Sequence, residues 1–393
     1  MINFTYYSPT KVIFGKNTEC GVGDEIKAWG GKKVLVHFGG ASAQKSGLLD
    51  RVAKSLAGAG LEYVALGGVK PNPRLSLVRQ GIALCKKENV DFLLAVGGGS
   101  VIDSAKAIGY GLANDLDVWD LYTQKKTATA CAPVGAVLTI AAAGSETSYS
   151  SVITNDDDML KRSYNSDIAR PKFAVMNPEL TYTLPEYQSM CGVVDILMHT
   201  LERYFSNDKN TDLVDRISEG LMRTVMLAGP KILANPLDYD ARAEVMWAGS
   251  LSHNGLTGTG KTGDWASHLI QIELSARFDV AHGAGLAVIW PNWARYVYKH
   301  DPAPFARFAV RVMGIEMDYD NPENTALAGI DALEQYFRDI RMPVTISELG
   351  IRDITDAQID DMVDKCTWGG AKTIGQFVKL DGGDIRKIYE AAR

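Results

Sequence analysis

An apolar run at residues 92–96, FLLAV, meets three glycines, Gly97, Gly98 and Gly99, and then SVIDSAKAI. A strand turning on glycines into a helix is the unit from which helix-covered parallel sheets are built. Glycines also let backbone approach a phosphate, and a new helix offers free N–H groups and its positive end. A plain tight turn would explain the glycines alone, and Ile102 stands where the usual dinucleotide fingerprint has its third glycine. The strand before and the helix after favour phosphate binding, with Gly97, Gly98, Gly99 and Ser100 as the contacts.

The same alternation recurs on either side. KVLVH at 33–37 predicts a strand ending in Phe38, Gly39, Gly40, Ala41 and Ser42, and a helical pattern runs on to about residue 59. A strand at 63–66, the loop GGVKPNP at 67–73 and a helix to about 89 follow. APVGAVLTIAAAGSE at 132–146 reads as a strand ending near Thr139 and a loop of small residues. Residues 155–159 read as an acidic turn, and 172–176 as a further strand. Phe4, Tyr6 and KVIFG at 11–15 suggest short strands apart from this alternation, available to pair with a partner chain.

Pro178 and Pro185 bracket ELTYTL, a suitable domain boundary. Beyond it helices are predicted at 186–206, 211–234, 239–257, 264–276, 283–299, 302–314, 323–340, 355–366 and 383–392, with Pro291 kinking or ending its helix. The expected fold is an α/β, Rossmann-like nucleotide domain over 1–184 and an all-α, metal-binding domain over 185–393, with the metal between them.

The metal expectation rests on His and Asp placement. Pro185 and Glu186 open a helix whose Met190, Val194, Leu197, Leu201 and Phe205 recur at spacings of three and four. Asp195 and His199, at i and i+4, share a side of it. Alone, that pair fits a simple ion pair better than a ligand set. His268 changes the balance: it lies on a helix for which Asp264 reads as the N-cap and Trp265, Leu269 and Ile272 as the apolar face. His282 follows a short break, so the two histidines can converge. Three imidazoles and a carboxylate suit Fe²⁺ or Zn²⁺. Trp265, Trp290 and Trp293 read as core or cleft wall.

Composition limits the alternatives. With 393 residues, 46% hydrophobic and 22% charged, the chain is an ordinary two-domain globular protein. Its net charge of −6 without a basic block argues against nucleic acid. Five scattered cysteines, no apparent signal peptide and no long apolar run point to a reduced, cytoplasmic protein off the membrane.

GGGSVIDSAKAI at 97–108, PNP at 71–73, NPELTYTLP at 177–185, VVDILMHT at 193–200 and the His268/His282 region together resemble the iron-containing (group III) alcohol dehydrogenases, most closely their butanol-dehydrogenase-like branch. The resemblance spans essentially the whole chain. It implies a homodimer that interconverts a small alcohol and aldehyde with NAD or NADP. It assigns Asp195, His199, His268 and His282 as metal ligands, and through the metal as the catalytic set. It places the pyrophosphate at 97–100 and Asp103 near the nicotinamide. It matches Thr139 to a nucleotide-contacting threonine and Lys161 to a ribose-contacting lysine, and brings Asn72 of PNP to the nucleotide. Two departures are visible: Ile272 replaces a histidine one turn after His268, and Ala141, Ala142, Ala143, Gly144, Ser145 and Glu146 replace a TGSE-type loop.

The turn FGGASAQK at 38–45 has no acid to bind a ribose 2′-hydroxyl, and it offers Ser42 and Lys45 to a 2′-phosphate. NADP(H) is therefore favoured over NAD(H), with Gly39, Gly40 and Ser42 as contacts. In the expected reaction the metal polarises the aldehyde oxygen and the reduced nicotinamide delivers hydride. His253 and Asp264 read as structural residues rather than proton donors. Val152, Leu256 and Trp265 suggest an aliphatic pocket for a substrate such as butanal. A polyol dehydrogenase and a non-catalytic nucleotide- or metal-binding protein remain alternatives. A dehydroquinate-synthase-like lyase would need a basic cluster, and the ligand region offers little beyond Arg277.

Overall fold

The apolar runs become strands of one parallel sheet. The strands are β1 (Lys11–Phe14), β2 (Lys33–Phe38), β3 (Glu62–Leu66), β4 (Phe92–Gly97), β5 (Val134–Leu138), β6 (Ser150–Thr154), β7 (Lys161–Asn165) and β8 (Phe173–Met176). Six of them order as β1-β8-β5-β4-β2-β3, all parallel, with Leu35 opposite Leu93 and Ala95 opposite Ala136. Strands β4 and β5 are buried along their whole length, as continuous apolar runs require when both sheet faces are covered. On one face Val34, Val36, Phe92, Leu94 and Val96 pack in a cluster with Val52 and Leu56.

Helices α1 (Val22–Ala28), α2 (Leu48–Gly58), α3 (Leu75–Glu88) and α4 (Gly99–Ala113) connect the strands. The strand expected to stand apart, β1, instead joins the sheet beside β8 and leaves its other edge open. Phe4 and Tyr6 lie in no strand. The hairpin β6–β7 is the element that pattern reading missed: residues 155–159 are its turn, but SSVIT and KRSYN lack a clean apolar alternation.

The helical part contains α5 (Glu186–Tyr204), α6 (Asp212–Ala234), α7 (Tyr239–His253), α8 (Ala266–Phe278), α9 (His282–Val297), α10 (Pro302–Arg311), α11 (Pro322–Asp339), α12 (Asp356–Thr367) and α13 (Gly382–Ala391). Helix α5 packs against α6, α7 and α9, and every residue from 189 to 204 except Cys191 is buried. The apolar stripe therefore understates it: α5 is a central helix covered all round. Pro291 does not end its helix. Helix α9 runs on to Val297, because the one lost N–H is outweighed by burial of Trp290 and Trp293 against Phe205, Phe305 and Phe308.

The computed structural model describes residues 1–393 and forms two compact units, Tyr7–Leu184 and Met1–Tyr6 with Pro185–Arg393. Residues 1–6, expected with the nucleotide domain, thus pack with the helices: the Ile2 N–H donates to the Gly260 carbonyl at 3.0 Å, and the Met1 amine donates to the Lys209 carbonyl.

Within the α/β unit, His37 on β2 is fully buried. Its Nδ1 lies 2.9 Å from the Leu66 carbonyl and its Nε2 2.9 Å from Ser104 Oγ on α4. The carbonyl requires Nδ1 to carry the proton, so the serine hydroxyl donates to Nε2. Burial lowers the imidazole pKa from 6.5 to about 4, against the opposing pull of the Leu66 carbonyl. Between those values the unfolded chain binds a proton that the folded one does not, so stability falls as pH drops through that window. The cost is about 2 kcal/mol at pH 5. Urea unfolding at pH 7 and pH 5 is expected to show this loss, and His37→Gln to remove that share of the pH dependence. Equal slopes for the two proteins would contradict it.

Candidate active site

Helix α5 brings Asp195 and His199 to one face, with Asp195 Oδ1 3.5 Å from His199 Nδ1. His268 on α8 and His282 at the start of α9 place their Nε2 atoms 3.9 and 3.7 Å from the same carboxylate oxygen. Ligand atoms of Asp195, His268 and His282 all lie within 4.8 Å of one another. These separations are too long for hydrogen bonds. Four ligands about 2.1 Å from one ion in a tetrahedron stand about 3.4 Å apart, a similar spacing.

Asp195, His199 and His268 are each at most 6% exposed, yet Asp195 Oδ1, His199 Nδ1 and His268 Nε2 have no hydrogen-bond partner. Buried polar atoms left without partners are costly, and a shared cation would satisfy all three. Burial first, then the positive charge that His253, His268 and His282 would carry when protonated and that of Arg203, hold His199 well below its usual pKa. It is therefore neutral, the form that binds metal. The residues fit a divalent ion.

The surroundings correct several expectations. Asp264 is not the N-cap of α8; Trp265 is, with a φ of 66°. Asp264 is drawn elsewhere: its Oδ1 accepts from the N–H groups of Gln376 and Phe377, while Oδ2 accepts from Ala266. Burial, then the Glu202 charge, raises its pKa to about 7. A left-handed backbone is strained for so bulky a residue as tryptophan. Here it sets the Trp265 ring beneath the Arg203 guanidinium and 5.3 Å from the His268 ring. The apolar face expected of α8 is also not its buried face. Leu269 is exposed, whereas Ser267, His268, Gln271, Glu273 and Ser275 are buried. Ile272 is half-buried one turn beyond His268. The His253 ring lies 4.1 Å from the His199 ring, tilted to it by 46°, and meets Arg203 Nη2 at 3.2 Å, a structural placement.

The nucleotide candidates lie at the carboxyl ends of neighbouring strands. Gly39 and Gly40 follow β2, Gly97 ends β4 with Gly98 as N-cap of α4, and Thr139 follows β5 and donates its N–H to the Gly97 carbonyl. The chain runs from β2 outward to β3 and then back to β4 on the other side. Between β2 and β4 the strand order reverses, which is where open parallel sheets form their ligand crevice. Packing also requires the glycines: a Cβ on Gly98 would lie 3.0 Å from Ile140, and one on Gly99 2.9 Å from the Ala143 methyl. Ser42 opens a short exposed helix, and Ser100 stands in the first turn of α4.

Asn72 and Lys161 meet directly, Nζ to Oδ1 at 2.8 Å. Asp103 is occupied within the fold: Oδ1 accepts from Ser145 Oγ at 2.5 Å and Oδ2 from the Val152 N–H at 2.9 Å. Sequence reasoning missed Lys106. Its buried Nζ lies within 3.0 Å of the Ser145, Ser148 and Ser150 carbonyls and Ser145 Oγ, pinning the loop that rests on the glycines. Burial lowers its pKa to about 8 despite the nearby Asp103 and Glu146 carboxylates. Its spacing from Asp103 within SVIDSAK was the available signal.

The family model for iron-containing alcohol dehydrogenase matches residues 9–178, and that for the Fe-containing alcohol dehydrogenase family, C-terminal, matches 189–393. The chain belongs to the iron-containing alcohol dehydrogenase family. Within it, the chain is 41% identical over 392 residues to the probable NADH-dependent butanol dehydrogenase 1 of Bacillus subtilis, covering 100% of both chains. It is 35% identical to the NADPH-dependent aldehyde reductase of Escherichia coli K12, again over 100% of both. The crystal structure of NADH-dependent butanol dehydrogenase A from Thermotoga maritima superposes with a TM-score of 0.96 at 38% identity, covering 100% of this chain and 99% of that one.

One backbone contact sets how closely the helices carrying Asp195 and His282 approach in this iron-containing alcohol dehydrogenase. A Cβ on Gly283 would lie 2.0 Å from the Cys191 carbonyl oxygen, so α9 meets α5 backbone to backbone beside His282. Gly283→Ala is expected to destabilise the protein by about 1–3 kcal/mol and to lower bound metal measured by atomic emission. Gly220→Ala, mid-helix with no atom within 4 Å, is the control expected to leave bound metal unchanged and stability unchanged or raised by about 1 kcal/mol.

Proposed function

We propose that the chain is a metal-dependent alcohol dehydrogenase acting as an aldehyde reductase on small aliphatic aldehydes such as butanal, with NAD(P)H as hydride donor. The observation that carries this reading is the convergence of Asp195, His268 and His282, with His199 adjoining, in which the buried Asp195 Oδ1 and His268 Nε2 have no hydrogen-bond partner. All four residues are assigned as ligands of one Fe²⁺ or Zn²⁺ ion, which such donors accept alike. When bound, the ion supplies Lewis-acid polarisation of the carbonyl oxygen and the nicotinamide supplies hydride. The chain's own part is to present three imidazoles, with His199 held neutral by burial, and one carboxylate, and to keep the site largely dry. The apolar ring of Trp265 beside His268 supports an aliphatic substrate.

Gly39, Gly40, Ser42, Gly97, Gly98, Gly99, Ser100 and Thr139 are assigned to the nucleotide, with Asn72 and Lys161 acting as a pair. Asp103 serves it by holding the 145–152 loop. Relatives divide between NADH and NADPH in name. The acid-free turn at 38–45 leads us to infer that NADPH is accepted and favoured.

A homodimer is supported by the open edge of β1 and by the exposed apolar side chains of Met1, Ile2, Phe4, Tyr6 and Tyr7. Light scattering is expected to report a dimer, and removal of residues 1–7 a monomer. No helix is long and apolar enough to cross a membrane, and all five cysteines are free, in keeping with a cytoplasmic protein.

The deciding assay follows nucleotide oxidation with butanal, using protein reloaded with Fe²⁺ or Zn²⁺ and protein treated with chelator. Turnover is expected only with metal and faster with NADPH. His268→Ala is expected to lower it by more than about a hundredfold, beyond the 10–100-fold typical of residues that only support a ligand. Full activity and metal content in His268→Ala would refute the site, and a tenfold preference for NADH would refute the cofactor assignment.

A further inference from the structure

We propose that Glu202 is a positioning residue that fixes His268 for the metal, an inference that rests on the ligand assignment above. Glu202 is 1% exposed, and one of its oxygens, Oε1, accepts from two donors of the same residue: the His268 backbone N–H at 2.9 Å and Nδ1 at 2.8 Å. Two bonds from one oxygen to one residue set both the start of α8 and the rotation of the ring. They also fix the tautomer. Nδ1 carries the proton, so Nε2 keeps its lone pair, and Nε2 is the buried atom without a partner that faces Asp195. The backbone of Glu202 adds a third tie, its carbonyl accepting from the Asp264 N–H at 2.7 Å.

The placement follows from helix geometry. Asp195, His199 and Glu202 stand at i, i+4 and i+7 of α5, on one face. A single helix thus supplies two ligands and the group that aims a third. Electrostatics supports the role. Glu202 pairs with no lysine or arginine, and Arg203 beside it directs its guanidinium to the His199 and Ser252 carbonyls and to His253. Oε2 has no hydrogen-bond partner. A buried carboxylate so placed is costly unless a cation lies close, and one imidazole away is where the ion would sit.

The test uses the full-length protein stripped of metal and titrated with Zn²⁺ against a chromophoric chelator, with wild type, Glu202→Gln, Glu202→Ala and His268→Ala compared. Glu202→Gln keeps shape and an acceptor but loses the charge. Both Glu202 variants are expected to bind Zn²⁺ about 10–100-fold more weakly, with alanine the weaker. The metal-free melting temperature of Glu202→Gln is expected to equal or exceed wild type, while the gain on adding Zn²⁺ shrinks; a purely structural role predicts the reverse. Wild-type affinity in Glu202→Gln overturns the proposal, whether or not the alanine variant folds. No Zn²⁺ uptake by wild type, or undiminished uptake by His268→Ala, overturns the ligand assignment first and the proposal with it.

Discussion

Asp195 puts a carboxylate inside a helix that is buried on every side. Little else in the helical unit makes sense without a counter-charge there. Three histidines from three helices surround that carboxylate at distances too long for direct hydrogen bonds. The helices are not free to close the gap, because α5 and α9 already touch backbone to backbone at Cys191 and Gly283. The aromatic cluster around Phe205, Trp290 and Phe305 fixes the far side of the same helices. Core packing and ligand spacing are one arrangement.

The α/β unit solves a different problem, bringing separate chain segments to one edge of a sheet. Parallel pairing does this without any dedicated element, since every strand ends on the same side. What needs special provision is the loop over the glycines. A buried ammonium, Lys106, and a half-buried carboxylate, Asp103, hold it from α4. Ala143, in place of a hydroxyl residue, then packs its methyl where Gly99 has no side chain.

The strands of the main sheet and the nine C-terminal helices were legible because each rests on local pattern, apolar runs bounded by glycine or spacing of three and four, whereas of the proposed ligands only Asp195 and His199 share such a spacing and His268 and His282 came through the family resemblance. The β6–β7 hairpin was not, since its strands carry polar residues on both faces. The buried surface of α8 was hidden for a related reason, since it mixes Ser267, His268, Gln271 and Glu273 with Ala266, Ile270 and Leu274. Glu202 and Lys106 looked like ordinary charged residues on helices. Only burial, which depends on distant segments, shows them to be internal ties. The backbone of Trp265, bent into the left-handed region, has no signal in its own sequence.

The ligands also have an order in time. Residue 195 leaves the ribosome long before residue 282, and the contact between Gly283 and Cys191 forms only when the later helix docks on the earlier one. An incomplete chain therefore holds two donors at most until α8 is made. The last of the proposed ligands to be synthesised, His282, is the one whose helix start is locked by backbone contact, so on the proposed assignment the site is complete only when that helix docks.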